Sequence, residues 1–161
     1  MRTLLLPTTG FSKGSLYPFT HYSRELKAEY GLEVQEVVSD DLKEKIKAIR
    51  KFTGDLIIFS VPWDFGTEGV LDFVKEAKRI KGQAKLVFFD YLDGNESRFW
   101  EVMPHVDLYL KQYLHRDMNK YQQRFTGASE FVQFQVESGR VEDSITEEVW
   151  TNLFQSNLDP A

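Results

Sequence analysis

The chain has 161 residues, with 20 Lys plus Arg against 25 Asp plus Glu and a formal net charge of −5. This length suits one ordinary domain, and the acidic balance argues against nucleic-acid binding through a broad basic surface. Apolar residues at 42% and charged residues at 28% are the mixture of a soluble globular chain, and 13 Phe, 7 Tyr and 3 Trp give bulk for a large core.

The absences narrow the chemistry. With no cysteine there is no disulfide framework, no thiolate nucleophile and no thiolate metal site. The three histidines, His21, His105 and His115, have no metal-ligand spacing among them, so neither a metal nor a cofactor is expected. Leu4-Leu5-Leu6 is stopped by Pro7, well short of the roughly 7–15 apolar residues of a secretory signal. No apolar run approaches the roughly 20 residues of a membrane span. The expected compartment is the cytoplasm, and Asn95-Glu96-Ser97 is read as a chance match to the glycosylation sequon.

The first two-thirds alternates short apolar runs with helical patterns. Thr3–Leu6 reads as a buried strand, and a polar loop follows it. Phe19, Tyr22, Leu26 and Tyr30 recur at helical spacing from Pro18 on, with Gly31 as the C-terminal cap. Leu32–Val38 alternates like a strand near a sheet edge. Ser39 or Asp40 can cap a second helix, with Leu42, Ile46, Ile49 and Phe52 inward and Gly54 at its end. Leu56-Ile57-Ile58-Phe59 is apolar throughout, as a strand buried on both faces must be.

Thr67 is the expected cap of a third helix with Val70, Phe73, Val74, Ala77 and Ile80 inward. Lys85–Phe89 is a fourth strand, Ser97–Met103 a short helix stopped by Pro104, and Val106–Leu110 a fifth strand. Strands separated by helices require right-handed parallel crossovers. The expected fold is therefore an α/β, three-layer αβα Rossmann-like open parallel sheet, with strand order 3-2-1-4-5. Residues 1–161 are read as a single Rossmann-like domain with a less regular segment from about 126. Within that segment Phe131–Val136 is expected as an edge strand and Ile145–Phe154 as an amphipathic helix.

In such a sheet a ligand sits beyond the carboxyl ends of the strands, where the strand order reverses. Order 3-2-1-4-5 puts that crevice between strands one and four, so Thr8–Ser15 and Asp90–Asn95 are expected to face each other. In the first loop, Gly10 and Gly14 let the backbone approach a ligand, Ser12 and Ser15 donate hydrogen bonds, and Lys13 offers a charge to an anion. The spacing matches neither the Walker loop nor the dinucleotide fingerprint, and a plain strand-to-helix turn explains it too. In the second loop, Asp90 and Asp93 are the candidate catalytic carboxylates. They suit sugar hydroxyls or general-base work, or they belong to a turn at Gly94. Lys111 and Arg116 add positive charge near the same edge.

The stretch Phe88-Phe89-Asp90-Tyr91-Leu92-Asp93-Gly94, with Phe99-Trp100, Val106-Asp107-Leu108-Tyr109-Leu110-Lys111 and Leu114-His115-Arg116-Asp117, resembles the N-terminal half of bacterial GT-B-type glycosyltransferases. The resemblance is best over residues 85–125. It implies two Rossmann-like domains with a cleft between them, the N-terminal one holding a sugar or glycoside acceptor and the other a nucleotide-sugar. Asp90, Asp93 and Lys111 would line that cleft. The expected function is thus the acceptor-binding domain of a glycosyltransferase, incomplete for hexosyl transfer without a second Rossmann-like domain. The alternatives are a stand-alone small-molecule or nucleotide-binding module, with the ligand at Gly10–Ser15, and a protein-interaction domain forming a homodimer.

Overall fold

The computed structural model describes residues 1–62, 65–91, 99–112, 116, 117, 119, 124–126, 134, 135, 137–139 and 148–150. They fall into two compact units, one of Met1–Tyr91 with Glu101–Gln112, the other of Leu92–Trp100 with Tyr113–Ala161.

The first unit is an open sheet of five parallel strands: β1 (Arg2–Leu6), β2 (Glu33–Glu36), β3 (Leu56–Phe59), β4 (Lys85–Asp90) and β5 (Leu108–Lys111). Between them run the helices α1 (Phe11–His21), α2 (Ser23–Tyr30), α3 (Leu42–Lys51) and α4 (Thr67–Ile80). A 3-10 helix, Trp100–His105, precedes β5 and carries Pro104 inside it. The α/β Rossmann-like class expected from the alternating pattern is the one observed.

The strand order is β2-β1-β3-β4-β5, where 3-2-1-4-5 was expected. Burial explains the difference. In β3, Ile57, Ile58 and Phe59 are buried, and Leu4, Leu5 and Leu6 of β1 are fully so, whereas β2 and β5 alternate exposed and half-buried residues. An all-apolar strand has to lie in the middle of the sheet, with the alternating strands at its edges. The reversal point therefore falls between β1 and β3, and the crevice moves there from its expected place beside strand four.

Helices cover both faces. Leu16 of α1 packs with Leu5, Ile58 and Val87, and Phe19 lies against the same cluster. On the opposite face Phe73 of α4 meets Phe59 at 5.0 Å between ring centroids, and Phe59 stacks on Phe88 at 4.9 Å. Arg50 of α3 pairs with Glu76 of α4, tying these two helices together.

The first helical segment begins seven residues before the expected start at Pro18, which lies inside α1. A proline inside a helix clashes with the carbonyl four residues back. Here that residue is Gly14, and α1 ends at His21, three residues beyond Pro18. The helical path breaks at Tyr22 and resumes as α2, which ends on Gly31 in the left-handed conformation at φ 62°. The cap of α3 is Asp41, accepting from the Lys43 N–H at 2.7 Å, one or two positions beyond the expected residues. Gly66 occupies the N-cap position of α4, with Thr67 as its first residue.

In the second unit β6 (Arg124–Thr126) pairs antiparallel with β7 (Glu148–Trp150). Residues 148–150, expected within a helix, are therefore a strand. Residues 134 and 135, expected in an edge strand, are helical. The remainder of both expected elements lies outside the described residues.

Candidate functional site

At the carboxyl ends of β1 and β3 the chain places a cluster of buried hydroxyls. Thr8, Ser12 and Ser60 are each at most 1% exposed. The Thr8 N–H donates to Ser12 Oγ at 2.6 Å and, more weakly, to Ser60 Oγ at 3.3 Å. Ser60 Oγ donates to Ser12 Oγ at 2.9 Å, and the Thr8 and Ser12 hydroxyls lie 2.7 Å apart. Thr8 Oγ1 also donates to the Tyr91 hydroxyl at 3.1 Å, which brings the residue after β4 into the same network. Buried hydroxyls of this kind are satisfied by one another, so the loop between β1 and α1 has a fixed floor.

Above that floor the loop is open. Gly10 has φ 80° and ψ −128°, a conformation that a side chain would strain, and nothing approaches the position of a Cβ there. Gly10 occupies the N-cap position of α1, with no side chain capping the helix. The first-turn N–H groups and the positive end of the helix dipole are therefore directed to the loop. Thr9, Gly10, Lys13 and Gly14 are exposed. Toward β2 the loop is held by Asp40, whose carboxylate accepts from the Thr9 N–H at 2.9 Å and from the Thr9 hydroxyl. The hydroxyl hydrogen bond holds the Asp40 carboxyl below its ordinary range against partial desolvation, with help from the Thr9 N–H and the charge of Lys45.

Beneath the floor lies Lys45 of α3, fully buried. Its Nζ donates to the carbonyls of Leu6 at 2.8 Å and Ser60 at 2.5 Å, the exits of β1 and β3. Burial brings its pKa down from 10.5 to about 7, with the charge of Asp40 opposing the shift. Lys45 is not among the site residues expected from the sequence. The signal was present, since Lys45 follows Leu42 by three and precedes Ile49 by four, on the apolar stripe of the helix.

Of the expected site residues, Gly10, Ser12, Lys13, Gly14 and Ser15 share the β1–α1 segment, Ser12 as part of the floor and Ser15 half-buried one turn into the helix. Asp90 and Lys111 face each other from adjacent strands as a buried pair, 3.7 Å apart and 0% and 3% exposed. Tyr109 donates to Asp90 Oδ2 at 2.7 Å. Arg116 is exposed and belongs to the second unit. Asp93 lies outside the described residues. Among the described residues no three His, Asp or Glu side chains are grouped to hold a metal ion, and no helix is long and apolar enough to cross a membrane.

No protein-family model matches the chain, and no curated protein matches its sequence. Its fold is shared with a solved structure. A type II dehydroquinase from Butyrivibrio crossotus aligns over 69% of this chain and 87% of its own, with TM-score 0.50 and 13% identity. A 3-dehydroquinate dehydratase-like protein from Bifidobacterium longum aligns over 71% and 86%, with TM-score 0.48 and 11% identity. A two-component response regulator from Clostridium difficile aligns over 87% and 98%, with TM-score 0.43 and 12% identity. At such identities the likeness to the dehydroquinase is one of fold.

Proposed function

We propose that this protein is a small-molecule-binding α/β module whose β1–α1 loop takes a phosphate or carboxylate group of its ligand. The observation that carries the reading is the loop at the β1/β3 reversal point. There an uncapped helix start, Gly10 at positive φ and the exposed Lys13 stand over a floor of satisfied hydroxyls. Backbone N–H groups, helix dipole and ammonium all favour a negative group at one place.

A narrower form of the reading is the acceptor-binding domain of a GT-B-type glycosyltransferase. It is favoured by the hydrogen bond from Thr8 to Tyr91, which joins the loop to the segment carrying that resemblance. In that case the acceptor carries the anionic group, and hexosyl transfer requires a second domain that holds the nucleotide-sugar.

Thermal unfolding against nucleotides, nucleotide-sugars, phosphorylated sugars and simple sugars tests both forms. A ligand at 100 times its Kd adds roughly 2.7 kcal/mol to the native state. Stabilisation by phosphorylated compounds, lost in Lys13→Ala, supports the module. Stabilisation by phosphorylated sugars but not by nucleotides selects the acceptor form. Silence across the panel, or a response untouched by Lys13→Ala, refutes the assignment to this loop.

A further inference from the structure

We infer that Lys45 is a positioning residue for the β1–α1 loop, and that its protonation is coupled to the capture of an anion there. The inference rests on the reading above and adds a means of regulation to it. Buried ammonium groups are normally neutralised by a carboxylate in contact. Among the described residues Lys45 has none. Its two close partners are the neutral carbonyls of Leu6 and Ser60, and Asp40 acts on it only through space.

Among the described residues Asp40 supplies the only other charge that acts on Lys45. The exits of β1 and β3 carry the buried Leu6, Thr8, Phe59 and Ser60, and the buried side chains of α4 are Val70, Phe73, Val74 and Ala77, none of them charged. The carboxylate of Asp40 is itself occupied by Thr9 at the edge of the loop. The interior beneath the loop therefore holds a positive charge only partly compensated whenever Lys45 is protonated. An anion above it would complete the compensation.

The geometry lets the proton come and go without disturbing the scaffold. A neutral amine has two N–H donors, enough for both carbonyls, so the tie between β1 and β3 persists in either state. The Ser60 whose carbonyl Lys45 holds also bonds Ser12 through its hydroxyl, and Ser12 accepts from Thr8. The loop floor thus stands directly on the residue that Lys45 anchors. Because burial favours the neutral amine around neutral pH, proton uptake lies within reach of ligand binding. Linkage is reciprocal: if protonation tightens the hold on an anion, the anion must raise the pKa of Lys45 by the same factor.

The test uses inorganic sulfate, which does not titrate between pH 6 and 9, with binding followed by calorimetry on the full chain. Affinity is expected to rise about fivefold or more from pH 8.5 to pH 6, the low end of ordinary coupling. Lys45→Met should flatten this dependence, whereas Lys13→Ala should weaken binding and leave the pH slope in place. A second measurement needs no variant: in lysine-labelled protein the 13Cε titration midpoint of Lys45 should move up by about 0.7 pH unit in saturating sulfate, the same fivefold factor. Sulfate binding that is sensitive to Lys13→Ala but independent of pH, with an unmoved Lys45 midpoint, overturns the coupling and leaves the loop site standing. Absence of sulfate binding at every pH overturns both.

Discussion

Replacing Lys45 with Met gives the most informative stability experiment, because the two chains should respond to pH with different slopes. Met keeps most of the side-chain volume, so packing changes little. What it removes is a group whose pKa is about 7 when folded, against 10.5 in its ordinary state. The unfolded chain therefore holds a proton that the folded chain has lost throughout this window, and stability must rise with pH there. Below pH 7 both states are protonated and the slope vanishes; above 10.5 both are neutral. Integrated from pH 7 to pH 9, this one group adds about 2 kcal/mol to the wild type.

Met also leaves the Ser60 carbonyl without its Lys45 donor, at a cost of about 1–3 kcal/mol. The Leu6 carbonyl keeps the Ser60 N–H at 3.2 Å. Urea unfolding of both chains at pH 6, 7, 8 and 9 should show Lys45→Met clearly weaker at pH 9. The gap should close by about 2 kcal/mol towards pH 7. Parallel curves would refute the claim that Lys45 carries its charge at a cost inside the fold.

Three further outcomes follow from the packing. Gly54→Ala places a Cβ 2.2 Å from Phe52 Cζ and 2.8 Å from the Arg2 carbonyl oxygen, and thermal melts should show a loss of about 1–3 kcal/mol. For Asp107, partial burial is outweighed by hydrogen bonds from Lys78, the Leu86 N–H and Lys85, which hold the carboxyl down to about 2. Its contribution is present above pH 3.8 and fades as the pH falls towards 2, so Asp107→Asn should flatten the acid limb of the stability curve by about 1–2 kcal/mol. Within the buried Asp90–Lys111 pair, Lys111→Met should cost about 3–5 kcal/mol, and the double change with Asp90→Asn should cost less than the sum of the single ones, as a urea double-mutant cycle would show.

Much of the fold could be read from hydrophobic patterning. The runs at Leu4, Ile57 and Leu86 marked the central strands because parallel sheets bury both strand faces. The same logic contained the strand order. Leu56-Ile57-Ile58-Phe59 could not be an edge strand, and the alternation at Glu33–Glu36 was itself an edge pattern. The start of α1 was hidden because Thr8–Ser15 has the composition of a turn, and because Pro18 marked a helix start when read locally.

The site was legible only in part. Gly10, Lys13 and the hydroxyls could be named from composition. That Ser12 is floor and Lys13 is surface depends on the direction in which α1 leaves the sheet. Asp90 and Lys111 were expected to line a ligand cleft, but adjacent strands bring them into register as buried partners. Lys45 was missed because a lysine on an amphipathic helix ordinarily belongs to the solvated face.

The central claim, that the β1–α1 loop receives the anionic part of a ligand, is tested most directly by amide chemical-shift mapping. Titrating the 15N-labelled chain with the strongest stabiliser of the thermal panel should move the amides of Thr9, Gly10, Ser12, Lys13 and Gly14 first and furthest, as N–H groups at a helix start respond to an incoming anion. Shifts centred elsewhere, with Gly10–Gly14 unmoved at saturation, would contradict the account.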